Sequence, residues 1–159
     1  TKTGTIEFSA SSPVEKIEGV NKAVACALDS KTGMFNCIVQ IKSFVFRQQL
    51  MQEHFNENYM ESDQLPTANF KGSITNIADI IFNKDGDYTA DVTGKLTIHG
   101  VTKDVKTKGK VIVKNGKPTI KANFNVLLSD YNINIPGAVK DKISKEAKVN
   151  VICALEPLK

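Results

Sequence analysis

Apolar and polar residues alternate with a period of two along most of this chain, and turn signals interrupt the alternation at short intervals. From Thr119 to Leu128, the residues Ile120, Ala122, Phe124, Val126 and Leu128 fall on one face, opposite Lys121, Asn123 and Asn125. Residues 105–113 repeat the pattern, with Val105, Thr107, Gly109, Val111 and Val113 opposite lysines. Between them stands Asn115-Gly116, a pair that tolerates positive φ at both positions and so marks a two-residue hairpin turn. That turn pairs Val111 with Ile120, Gly109 with Ala122, Thr107 with Phe124 and Val105 with Val126. A one-residue slip would carry lysines onto the apolar face, so the register is well specified.

The same arithmetic extends to other hairpins. A loop at Ser30–Gly33 pairs Leu28 with Phe35, Cys26 with Cys37 and Val24 with Val39. A loop at Lys84–Gly86 pairs Phe82 with Tyr88, Ile80 with Ala90, Asn76 with Gly94 and Ile74 with Leu96. A loop at Gly100–Lys103 pairs Ile98 with Val105, Leu96 with Thr107 and Gly94 with Gly109. With strands near Thr5–Ala10 and Ala147–Leu155, the chain holds about eight strands, an all-β fold closed into a single antiparallel barrel. Two stretches depart from it. Arg47–Tyr59 has helical spacing in Leu50, Met51, Phe55 and Tyr59, so a helix is inserted near residues 47–59. Ala138–Lys145 is expected to form one or two helical turns. Nothing in residues 1–159 marks a linker or repeat, so one domain is expected.

In this register Asn76, Gly94, Gly109 and Ala122 form one row on the apolar face. An eight-stranded barrel either fills with side chains or holds one small ligand. The small residues predict a hollow there; the other reading is that the glycines let the sheet coil closely. The segment Tyr131–Pro136 alternates as well and is expected to form a rim, with the Tyr131 hydroxyl open to a polar headgroup.

The chain carries 21 basic and 17 acidic residues, for a net charge of +4, and no Trp. Its lysines lie on strand faces with no Arg-rich cluster, so no nucleic-acid partner is expected, while weak contact with an anionic membrane surface stays open. Catalysis needs a nucleophile or an acid–base pair held in a pocket. His54 sits beside Glu53 and Glu57 as a solvated helix charge, and a metal on His54 and Glu57 is set aside; His99 falls at a hairpin turn. No catalytic residue, metal site or cofactor is expected. Cys26 and Cys37 face each other on the apolar side, where packed thiols are favoured over a cross-strand disulfide.

The stretch Gly94-Lys95-Leu96-Thr97-Ile98-His99-Gly100-Val101-Thr102-Lys103 resembles the hallmark hairpin of the YceI-like family of isoprenoid-binding proteins. Ser43-Phe44-Val45-Phe46-Arg47, then Met51, Phe55, Tyr59, Leu65-Pro66 and Ala68-Asn69-Phe70, then Asp130-Tyr131-Asn132-Ile133 and Pro136 follow the family's order. The resemblance implies a lipocalin-like barrel with a helix near its mouth and a long apolar tunnel enclosing a polyisoprenoid, fatty-acyl or related chain. Carried over by position, the tunnel and mouth are Phe44, Phe46, Met51, Phe55, Tyr59, Phe70, Phe82, Leu96, Phe124, Tyr131 and Ile135. Arg47, Asn76, His99 and Tyr131 are the expected headgroup selectors, with a surface salt bridge equally open for Arg47, and Gly94 and Gly109 the thin wall. Many members are exported, and the chain opens on Thr1 without Met, so a periplasmic or secreted protein is expected. The expected partner is a long-chain lipid or isoprenoid, with a homodimer left open. The alternative is a filled barrel serving as an interaction or stress-response module.

Overall fold

The computed structural model describes residues 4–11, 17–133 and 143–156. The strands are β1 (Gly4–Ser11), β2 (Glu18–Leu28), β3 (Met34–Gln40), β4 (Val45–Phe46), β5 (Thr67–Ile74), β6 (Gly86–Ile98), β7 (Val101–Lys114), β8 (Lys117–Leu127) and β9 (Ile143–Ala154). The eight long strands run antiparallel in the order β1-β9-β8-β7-β6-β5-β3-β2, and β1 pairs with β2 to close the barrel. The two-residue β4 pairs only with Gly19 and Val20 of β2. Between β4 and β5 lies α1 (Gln49–His54), continued by a π turn over Phe55–Tyr59. Among the described residues no helix is long and apolar enough to cross a membrane.

Inside, the barrel is packed with the alternate residues of the strands, Val24, Phe35, Ile74, Ala90, Val111, Ile120 and Cys153 among them. The lysines 106, 108 and 110 of β7 point to solvent. Asn115 and Gly116 have φ of 54° and 76°, and the pairs Val111–Ile120 and Gly109–Ala122 form as the turn chemistry dictates. Cys26 pairs with Cys37 and Leu28 with Phe35.

Two registers differ from the sequence reading, each by four residues. The turn between β6 and β7 is His99-Gly100 alone, with φ of 54° and 74°, so Ile98 pairs with Val101 and Gly94 with Val105. A two-residue turn with positive φ at both positions matches the twist of the strands it joins, and cross-strand pairs add to it. The observed register sets Lys95 against Asp104, at 3.1 Å, and Thr97 against Thr102, at 2.7 Å. The wider loop would have set Lys95 against Lys108. Likewise β5 pairs Ile74 with Val92 and Gly72 with Gly94, and no strand covers Ile80 or Phe82. Asn76 ends the ladder there: its amide donates to the Thr89 carbonyl at 2.8 Å and accepts from the Asp91 N–H at 2.8 Å.

The small-residue row is therefore absent. Gly94 lies between Gly72 and Val105, and Gly109 between Ala90 and Ala122. A β-carbon on Gly109 would stand 2.6 Å from the Lys121 carbonyl oxygen, so this glycine serves close strand approach, not a hollow. The expected helical turns at Ala138–Lys145 lie partly outside the described residues; from Ile143 onward the chain is strand.

Strand β2 changes partner midway, from β4 to β3, and a buried side chain covers the change. Asn21, fully enclosed, donates to the Gln40 carbonyl at 2.9 Å and accepts from the Ala23 N–H at 2.9 Å. Both halves of its amide are satisfied, which lets a polar group sit in the core. All three cysteines are thiols with no disulfide among them. Contact with Cys26 and then with Cys37 lowers the pKa of the Cys153 thiol below its ordinary value. The contact with Cys153 raises the pKa of Cys26 and of Cys37 in turn.

Candidate functional site

At the end of the barrel nearer the His99-Gly100 turn is a cavity of about 160 Å³. Alternation along the strands supplies its wall: Ile6, Phe8 and Ala10 from β1, Val39 from β3, Leu96 and Ile98 from β6, Phe124 and Val126 from β8, Ala147 and Val149 from β9. Met51, Phe55 and Tyr59, spaced four apart along α1 and the π turn, close the end, with Met60 beside them. Among the described residues no charged side chain reaches this wall.

The closing segment is fastened by polar groups that face away from the cavity. Gln52 Oε1 accepts from the Phe46 N–H at 3.1 Å, and Asn56 Nδ2 donates to the Gln52 carbonyl at 3.1 Å. The Ser62 N–H donates to the Asn56 carbonyl at 2.8 Å. Inside, four rings meet. Phe55 stacks on Phe8 with centroids 5.4 Å apart and packs on Phe46 at 4.8 Å and Phe44 at 5.6 Å. Phe8 in turn meets the edges of Phe44 and Phe46 at 5.2 Å and 5.6 Å.

Among the described residues the ladder between β7 and β8 stops part-way along the barrel wall. The β7–β8 ladder runs only from Lys114–Lys117 to Gly109–Ala122, so the expected pairs Thr107–Phe124 and Val105–Val126 do not form. Beyond it β7 pairs only with β6 and β8 only with β9, bridged once where Thr107 Oγ1 donates to the Asn123 carbonyl at 3.1 Å. A groove of about 330 Å³ lies in this seam, lined by Lys103, Asp104, Lys106, Asn125, Asp130 and Tyr131 among others. Leu96, Phe124 and Val126 line both the groove and the cavity. One layer of side chains separates the apolar interior from a polar, charged rim.

Of the residues expected from sequence, Phe44, Phe46, Met51, Phe55, Tyr59, Leu96 and Phe124 line the cavity. Tyr131 lines the groove, and Arg47 is exposed next to Phe46. Burial raises the Tyr59 phenol above its ordinary range; burial and then the Asp130 charge do the same for Tyr131. Phe70, Asn76, Phe82, Gly94 and Gly109 lie away from both cavity and groove. His99 is committed elsewhere: Nδ1 donates to the Tyr131 carbonyl at 3.1 Å, Nε2 lies 3.4 Å from Glu61, and the side chain is 11% exposed. It fastens the β6–β7 turn to the 3-10 turn over Leu128–Tyr131. Ile135 and the side chain of His54 lie outside the described residues. Sequence reasoning left out the share of β1 and β9, although Ile6, Phe8 and Ala10 alternate as plainly as β8 does.

Comparison with known proteins agrees with this architecture. The fold superposes on the crystal structure of Burkholderia cenocepacia BcnA with a TM-score of 0.79, at 16% identity over 96% of both chains. It superposes on a polyisoprenoid binding domain from Saccharophagus degradans with a TM-score of 0.76, at 13% identity over 95% of this chain and 92% of that one. Over 70 residues the chain is 40% identical to a UPF0312 protein of Pseudomonas putida, a stretch covering 40% of this chain and 36% of the relative. A family model of the YceI-like domain matches residues 1–154, so the chain belongs to the YceI-like family.

Proposed function

We propose that the barrel binds and carries one long apolar amphiphile, a polyisoprenoid or fatty-acyl chain, without acting on it chemically. The observation that carries this reading is the cavity wall, which is apolar throughout and among the described residues has no acid–base pair facing inward. The polyisoprenoid binding domain of Saccharophagus degradans has the same fold, which supports the ligand class. Each methylene withdrawn from water contributes about 0.8 kcal/mol, so ten offer roughly 8 kcal/mol before the costs of association. Apolar contact suffices to hold the tail. Tyr59, Tyr131 and the lysines of the seam then meet the head.

The cavity, about 160 Å³, is smaller than the ~300 Å³ lower end of drug-sized ligand pockets. A long chain therefore enters only when the rings of Phe8, Phe44, Phe46 and Phe55 part, and the tail is drawn in through the β7–β8 seam. Exposed Val45 and Leu50, on either side of Arg47, suit contact with an anionic membrane surface near the mouth. Export to the periplasm would give such a carrier its lipid source. Native mass spectrometry with lipid extraction, followed by titration with a fluorescent fatty acid, tests the proposal. Co-purifying lipid or saturable uptake supports it. The small cavity is also the observation that favours the alternative, a barrel used as an interaction module: a lipid-free protein that takes up no probe would establish that one instead.

A further inference from the structure

Toward the other end of the barrel, three sulfurs converge from three strands. Cys26 Sγ lies 2.8 Å from Cys153 Sγ and 2.9 Å from Cys37 Sγ, and all three lie within 4.8 Å of one another. None of them lines the cavity. Cys26 and Cys37 face each other on β2 and β3, but Cys153 comes from β9, on the far side of β1. Gly4 of β1 makes the approach feasible: a β-carbon there would stand 3.1 Å from Cys153 Sγ and 3.1 Å from the Val24 carbonyl. The missing side chain is the lane through which Cys153 reaches the other two.

We propose that Cys26, Cys37 and Cys153 form a three-thiolate site for a soft, three-coordinate ion, monovalent copper. The donor set decides the class. Soft thiolates select monovalent copper, zinc or iron–sulfur centres. Structural zinc takes four ligands, and among the described residues no histidine, carboxylate or further cysteine joins these three. The cysteines are 0%, 5% and 6% exposed, so solvent water does not readily supply a fourth. Monovalent copper accepts three sulfurs alone. Paired strands hold the donors, so little ordering remains to be done on binding. Loading exchanges thiol protons for the ion, and uptake releases protons to solvent.

The test is an anaerobic titration of the reduced full chain with monovalent copper against a chromogenic copper(I) chelator. One ion per chain, retained in competition, with sulfur-to-copper absorption in the near ultraviolet, is the expected result. X-ray absorption at the copper edge should count three sulfurs. Cys153→Ser and Cys37→Ser, checked for fold by circular dichroism, should each weaken retention at least about tenfold, since even the loss of an outer-shell partner costs about 10–100-fold. Retention unchanged in both variants overturns the site. So does a count of two sulfurs, or tighter retention of divalent zinc than of copper. A freshly purified, unreduced protein showing one reactive thiol after denaturation would replace the site with a disulfide. The last two measurements use the unmodified chain, so a variant that fails to fold leaves the proposal open to refutation.

Discussion

The ring of Phe70 lies over Gly94, with Phe70 Cζ 2.7 Å from where a β-carbon on that glycine would stand. The same β-carbon would come within 2.5 Å of Gly72 Cα and 2.6 Å of the Lys71 carbonyl. Two of these three obstacles are backbone and cannot rotate away. Gly94→Ala is therefore expected to lower stability by about 1–3 kcal/mol, as overpacking does, and Gly94→Leu by more. Urea denaturation measures both. A leucine tolerated at no cost would show that the sheet has room here after all.

Truncating Phe55 removes the ring that touches Phe8, Phe44 and Phe46 at once. Phe55→Ala should cost about 2–3 kcal/mol, below the ~3–5 of a fully buried phenylalanine because this one is only partly enclosed. It should also enlarge the cavity and strengthen uptake of the fluorescent fatty acid. Weaker uptake in a folded variant would mean the ring holds the ligand rather than obstructing it.

The seam makes a kinetic prediction. Asn125→Trp places a large ring in the groove at a residue that does not itself line the cavity. Stopped-flow uptake of the probe should slow severalfold while the equilibrium affinity stays as it was. An unchanged rate would move the entry route to the α1 end of the barrel.

His99→Ala removes the tie to the Tyr131 carbonyl and puts a residue less suited than histidine at a φ of 54°. A loss of about 1–2 kcal/mol and faster probe uptake are expected together, since the 3-10 turn beside the seam is released. Asparagine, which tolerates this backbone, should recover part of the stability and none of the slow uptake.

Tyr131 predicts the alkaline limit. Its phenol ionises above the usual ~10 of tyrosine because burial and Asp130 both disfavour the phenolate. The unfolded chain therefore loses that proton first. The resulting stabilisation is complete below pH ~10 and declines as pH climbs from there through the folded value. Tyr131→Phe should flatten this decline in a pH series of thermal melts.

Much of the fold was legible because turn chemistry and alternation agree. Asn115-Gly116 and the Cys26–Cys37 pair were readable on those grounds alone. Alternation says nothing, however, about slips of an even number of residues, since these keep every side chain on its own face. The β6–β7 register was lost for that reason, and cross-strand charge would have recovered it, with Lys95 against Asp104 and not Lys108. Glycines misled in another way: Gly94 and Gly109 report only that a β-carbon is missing, and packing decides whether the space is empty or taken. The seam has no local signature at all. It arises where β8 stops pairing with β7, a choice made by tertiary packing.

Closure of the barrel depends on β1 meeting β9, as in Phe8 against Val149. The hairpin of β6 and β7, by contrast, joins neighbours through a two-residue turn. Contacts so distant in sequence form late, because the loop entropy must be met before they return anything. The chamber therefore has no walls on the β1 side until the last described strand has emerged and docked. If the barrel carries the apolar chain proposed above, one resting on the half-built sheet at that stage would be wrapped rather than admitted, and the order of assembly would be a second way of loading the protein.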